Sequence, residues 1–144
     1  MKQNPSAAPH ALPPAASVPR GIYHVSQRFF FDAAHTLERD IDAVGSRRMH
    51  GHTYHAEVTL SGQPDPATGM VLDLGHLRRL IEEIRDQLDH HLLDEVAGLG
   101  SPTLENLCAY IAARLAPCAA GLSAVRVWRE STGDGCLLQM APVG

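Results

Sequence analysis

Between Thr53 and Leu60 the chain alternates without a break, Tyr54, Ala56, Val58 and Leu60 standing against Thr53, His55, Glu57 and Thr59. A period of two over that length is the signature of a half-buried strand, one face on a core and the other turned away from it. Tyr23 to Ala34, rich in aromatic and β-branched residues and carrying Phe29, Phe30 and Phe31, predicts a strand before it. The stretch from Thr36 to Met49 has charges, Gly45 and no periodicity, and reads as the loop between them. Gly62 to Gly69, with Pro64, Asp65 and Pro66, is turn chemistry.

Helical spacing takes over after this turn. Leu77, Leu80, Ile81, Ile84 and Leu88 recur on one stripe behind Asp73, a residue suited to capping a helix N-terminus. Leu104, Leu107, Cys108, Ile111 and Leu115 repeat the pattern, with Pro102 near the first turn and Pro117 beyond the end. Ala124 to Glu130 and Cys136 to Met140, separated by Gly133, Asp134 and Gly135, predict a closing hairpin. The order is ββααββ, an α+β domain with two helices on one face of an antiparallel sheet.

At 144 residues the chain suits one core, burying roughly 70% of the surface its unfolded form exposes. Residues 1–21 hold half of the ten prolines among alanines and serines, a composition too poor in apolar side chains to offset ordering entropy, and read as a disordered tail. One domain then spans 22–144. The formal net charge of -4 lacks the positive field that non-specific nucleic-acid binding needs. Cys108, Cys118 and Cys136 form no CxxC pair and no disulfide framework. No apolar run approaches a membrane span, so a cytoplasmic protein is expected.

Nine histidines are the unusual figure. His50 and His52 open the second strand on the face of Tyr54, Ala56, Val58 and Leu60, about 7 Å apart along an extended chain. His35 closes the first strand. If the two strands pair antiparallel, it lies beside the His50-Gly51-His52 end, and three imidazoles with an open fourth position form a catalytic rather than a structural zinc arrangement. Two readings stand on these residues alone, metal binding and ordinary strand decoration. His55, on the opposite face, and His76, on a helix surface, read as solvated; His10 falls in the tail and His24 has no evident partner.

Asp89, His90 and His91 follow the first helix, where a carboxylate beside an imidazole can orient it and hold its charged form for proton transfer. The competing reading is a histidine favoured by the helix C-terminal dipole. Glu130 ends the strand of Val125 and Val127, and an inward carboxylate there would receive paired N–H donors from a guanidine-like ring edge; strand-end glutamates are also commonly exposed.

Five motifs in order, Phe31-Asp32-Ala33-Ala34-His35, His50-Gly51-His52-Thr53-Tyr54, Gly69-Met70-Val71-Leu72-Asp73, Leu88-Asp89-His90-His91-Leu92-Leu93 and Pro102-Thr103-Leu104-Glu105-Asn106, closely resemble the 6-pyruvoyltetrahydropterin synthase and 6-carboxytetrahydropterin synthase family across about residues 25–140. The resemblance implies a T-fold, in which ββααββ subunits join sheets into a barrel and assemble as a homohexamer with sites between subunits. It implies zinc on His35, His50 and His52, proton transfer by Asp89 and His90, a pterin anchored by Glu130, and Thr103 and Glu105 near the pterin pocket. The implied reaction converts 7,8-dihydroneopterin triphosphate to 6-carboxy-5,6,7,8-tetrahydropterin, with acetaldehyde and triphosphate released, toward queuosine and other 7-deazapurines.

One departure bears on catalysis. The family's catalytic cysteine lies four residues before the first histidine of HGH, and here that position is Ser46. A thiol titrates near 8.5, whereas a serine hydroxyl needs an adjacent base to act. Three readings follow: the 6-carboxy reaction runs more slowly or with another base (His90, Asp40 or Asp42); the pocket forms another pterin product, 6-pyruvoyl or folate-directed 6-hydroxymethyl; or the chain is a non-catalytic pterin-binding module. Arg47 and Arg48 are candidate contacts for the triphosphate, or plain loop arginines.

Overall fold

The computed structural model describes residues 20–36 and 48–141. His10, Asp40, Asp42, Ser46 and Arg47 therefore lie outside the described residues, as does nearly all of the 1–21 segment. Strands β1 (Tyr23–His35), β2 (His50–Gly62), β3 (Leu122–Arg129) and β4 (Asp134–Gln139) form one sheet in the order β1-β2-β3-β4, and helices α1 (Leu74–Leu88) and α2 (Leu104–Leu115) fall between β2 and β3. Every pairing is antiparallel. The expected α+β order ββααββ is met, with one short 3-10 turn at Leu93–Glu95 added between the helices.

Alternation decides which face meets the helices. Phe31, Ala33 and His35 of β1, Tyr54, Ala56, Val58 and Leu60 of β2, and Val125, Val127 and Arg129 of β3 are all buried on one face. Against them pack Leu77, Ile81, Ile84 and Leu88 of α1 and Leu107, Cys108, Ile111 and Leu115 of α2. Burying each such leucine or isoleucine contributes about 1.5–3 kcal/mol, so these stripes hold both helices on the sheet. Both helices start where the capping residues place them: Asp73 accepts the Gly75 N–H at 2.8 Å, and Thr103 accepts the Asn106 N–H at 3.1 Å.

β1 and β2 run in unbroken register from Tyr23↔Gly62 to His35↔His50. The opposite face is not a plain solvated one, which corrects the expectation for His55. It stacks on Trp128, its partner in register, with ring centroids 5.5 Å apart, and Arg126 lies over the indole at 4.6 Å. His24 also has a partner, Ser61 Oγ at 2.6 Å from its Nδ1. His76 is exposed, as expected.

Candidate functional site

The unbroken register brings His35 to His50 and Ala33 to His52 at one end of the sheet. The three imidazoles meet there with centroids 4.4 Å (His35 to His50) and 5.0 Å (each to His52) apart. One donor nitrogen from each lies within 4.8 Å of the others. His35 is buried and the other two are half-buried, so the cluster opens to one side.

Hydrogen bonds set which nitrogen each ring offers. His35 Nδ1 lies 3.3 Å from the Pro102 carbonyl and His50 Nδ1 lies 2.7 Å from the Arg48 carbonyl. A carbonyl only accepts, so both Nδ1 atoms carry the proton, and the two Nε2 atoms face each other at 2.9 Å. Imidazoles pinned at Nδ1 by backbone carbonyls with Nε2 turned to a shared point are the donor set a transition metal takes. A tetrahedral ion about 2.1 Å from each nitrogen would set the donors about 3.4 Å apart, a small adjustment from these positions. Burial lowers the pKa of His35, and burial followed by the charge of Arg129 brings His52 down to about 4. Both are therefore neutral ligands at physiological pH. The residues fit a metal ion.

A second cluster is stitched to the free edge of β1. Beyond Leu88, the Asp89 carboxylate accepts the Asp32 N–H at 2.9 Å through Oδ1, while Oδ2 takes His90 Nδ1 at 2.8 Å and Arg85 Nη2 at 3.3 Å. The His90 N–H donates to the Asp32 carbonyl at 2.7 Å, and the Ala34 N–H donates to the His91 carbonyl at 3.1 Å. His90 holds a left-handed backbone, φ 57°, the one such non-glycine among the described residues. That strain is tolerated only where the surroundings over-determine it, as these bonds do. Led by the Asp32 N–H, its partners hold the Asp89 carboxyl below the usual range. The His90 side chain is 78% exposed.

One open cleft of ≈ 570 Å³ is lined by Met49, Gly51 and His52 together with His90, His91 and Leu92, so it reaches one histidine of the first cluster and His90 of the second. The other residues expected at a site from sequence do not line this cleft. Thr103 is next to Pro102, whose carbonyl holds His35, and Glu105 is exposed in the first turn of α2. Arg48 is exposed beside His50 and gives it that carbonyl. Glu130 does not face inward; of the two orientations the sequence leaves open, the structure has the exposed one. Its carboxylate is exposed and accepts Trp128 Nε1 at 2.8 Å, on the sheet face opposite the histidines.

Counting by twos from Val125 through Val127 lands on Arg129, and it is this side chain that is buried beside the histidines. Tyr54, whose alternation marks it as core, also places its hydroxyl 3.4 Å from His35 Nδ1. Of the three described cysteines, Cys108 is buried on α2, where burial pushes it up to about 12, Cys136 is half-buried on β4 and Cys118 is exposed beyond α2.

The family model described as 6-pyruvoyl tetrahydropterin synthase matches residues 24–139. A 6-carboxy-5,6,7,8-tetrahydropterin synthase of Synechocystis sp. is 32% identical over 117 residues, covering 77% of this chain and 89% of that protein. The 6-pyruvoyl tetrahydrobiopterin synthase of Homo sapiens is 39% identical over 101 residues, covering 60% of this chain and 70% of the human one. Among solved structures, the 6-pyruvoyl tetrahydropterin synthase of Caenorhabditis elegans superposes with a TM-score of 0.73 at 25% identity, over 84% of this chain and 97% of that one. With the T-fold strand and helix order and the family model spanning both clusters, the chain belongs to the 6-pyruvoyl tetrahydropterin synthase family.

Proposed function

We propose that the chain is a zinc-dependent lyase of pterin metabolism, converting 7,8-dihydroneopterin triphosphate and water into 6-carboxy-5,6,7,8-tetrahydropterin, acetaldehyde and triphosphate on the route to queuosine and other 7-deazapurines. The observation that carries this reading is the convergence of three imidazoles on one another, two of them locked by backbone carbonyls, with His52 lining a cleft that His90 also lines. Zinc held by His35, His50 and His52 would polarise the substrate's side-chain oxygens and ease C–H removal.

The chain's own groups divide the remaining work. Asp89 holds His90 by Nδ1, leaving Nε2 of an exposed ring to accept and return a proton at the substrate side chain. Asp89 is in turn fixed by the Asp32 N–H and Arg85, so the imidazole pivots on a rigid anchor. Thr103, Glu105 and Glu130 are the candidate contacts for a pterin, the two exposed carboxylates being available to a ring held between subunits of a homohexamer. A cytoplasmic setting supplies such a substrate.

The second reading rests on Ser46 together with the inert thiol of Cys108. Without a thiolate, the same pocket would form a 6-pyruvoyl or 6-hydroxymethyl pterin, or bind a pterin without turnover. Mass spectrometry of zinc-loaded protein incubated with 7,8-dihydroneopterin triphosphate, scoring pterin and acetaldehyde together, separates these. The 6-carboxy product with equimolar acetaldehyde is expected. A different pterin, or unchanged substrate, overturns the proposal.

A further inference from the structure

Arg129 is a buried charge that the pterin reading leaves unused. It ends β3 on the face of Val125 and Val127 and is 7% exposed, and with His35 it makes up the buried polar set of the described residues. The β2–β3 register ends with His55 opposite Trp128, so Arg129 follows directly after the last paired residue of β3. Its positive charge depresses the pKa of both His35 and His52.

The guanidinium is only partly satisfied. Nη2 donates to Asp134 Oδ2 at 2.7 Å, from a carboxylate that is 51% exposed. Nε, equally buried, has no hydrogen-bond partner among the described residues. Nε–H and Nη2 form one edge of the guanidinium, shaped for two oxygens of a planar anion, and Asp134 meets one tooth of it. With the Glu130 carboxylate on the opposite face, the inward position beside the histidines is cationic.

We propose that Arg129 is a specificity-determining residue that accepts a carboxylate of the ligand held at the three histidines, its Nε–H donating to one oxygen. One guanidinium already shared with Asp134 and hydrogen-bonded to the Tyr54 side chain matches a monoanion, and a triphosphate would need more cations than this one side chain supplies. Taking a pterin as that ligand rests on the proposed function, and the carboxylate is then the one at C6.

The test measures fluorescence-quenching affinities of zinc-loaded protein for 6-carboxypterin and 6-methylpterin. Wild type is expected to prefer the carboxylate at least tenfold, and Arg129→Gln to bring the two within twofold while keeping its zinc. Equal affinities in wild type, or a preference that survives in R129Q, overturn the proposal. If R129Q does not fold, Asp134→Asn decides: freeing the guanidinium should tighten 6-carboxypterin at least threefold without moving 6-methylpterin, and no tightening overturns it. If neither pterin binds, the pterin reading fails by itself, and calorimetry with acetate decides about Arg129. Acetate affinity that falls tenfold in R129Q, or rises in D134N, supports the carboxylate site; affinity unchanged in both overturns it.

Discussion

His35 and His50 present their Nε2 atoms to each other at 2.9 Å while backbone carbonyls of Pro102 and Arg48 hold their Nδ1 protons. Two lone pairs at that separation repel unless a cation lies between them. A metal ion relieves the repulsion, and so does an added proton, at the cost of charging a ring whose burial opposes it. Replacing His35 or His50 by Ala should therefore reduce bound zinc from about one equivalent to under a tenth, read by elemental analysis after dialysis. His55→Ala, on the far face against Trp128, should keep its zinc. Stoichiometric metal in the His50 variant would sink the ligand assignment.

On the proposed function, the Asp89–His90 pair acts in proton transfer and takes no part in metal binding. His90→Gln and Asp89→Asn should each lower kcat by about 10²–10⁴-fold, the usual contribution of a positioned acid or base. KM should move less than about threefold and zinc content not at all, because neither side chain is among the three ligands. Loss of zinc in either variant would assign the pair to the metal site instead.

The lowered pKa of Asp89 has a consequence for acid stability. Its folded value lies below the unfolded value of about 3.9, so the unfolded chain takes up the proton first as pH falls. The stabilisation by Asp89 is complete above the unfolded pKa and is lost as pH drops through the folded one. Urea midpoints of wild type and Asp89→Asn should differ at pH 6–7 and converge below about pH 4. A gap that stays constant down to pH 3 would mean that the carboxylate's charge is not what holds this segment to β1.

Gly121 gives a stability test remote from the site. It sits at φ 85° just before β3, its carbonyl accepting the Ser61 N–H at 2.8 Å, and a Cβ there would meet the Ser61 carbonyl oxygen at 2.8 Å. Left-handed strain and the backbone clash together should make Gly121→Ala cost about 2 kcal/mol or more, seen as a lower thermal midpoint with unchanged zinc stoichiometry.

The parts of this fold that were legible in the sequence are those where one period dominates. Strict alternation from Thr53 to Leu60 settled the face of β2, and antiparallel pairing then carried His35 to His50 with no further assumption. Periodicity is silent about partners across a sheet, so His24 with Ser61 and His55 with Trp128 needed the register. Parity from Val125 and Val127 points to Arg129, whereas Glu130 shares parity with Trp128 and therefore falls on the opposite face. The Asp89–His90 geometry depends on an irregular segment docked on a strand edge, which no local pattern encodes.

Ser46 bears most directly on the reaction. The family resemblance places a cysteine at this position, where a thiol titrating near 8.5 supplies some thiolate at neutral pH, whereas a hydroxyl is inert without a base beside it. Burial keeps the Cys108 thiol protonated. If the metal ligands and the Asp89–His90 pair are otherwise competent, Ser46→Cys should raise the rate of 6-carboxy product formation by at least tenfold at pH 8, and by less at pH 6.5, where the thiolate fraction is smaller. Zinc content and thermal midpoint should match wild type, since a serine-to-cysteine change exchanges one second-row atom for a third-row one. An unchanged rate at both pH values, with zinc bound, would show that the pocket has moved away from this reaction altogether and that the serine is one part of a wider change.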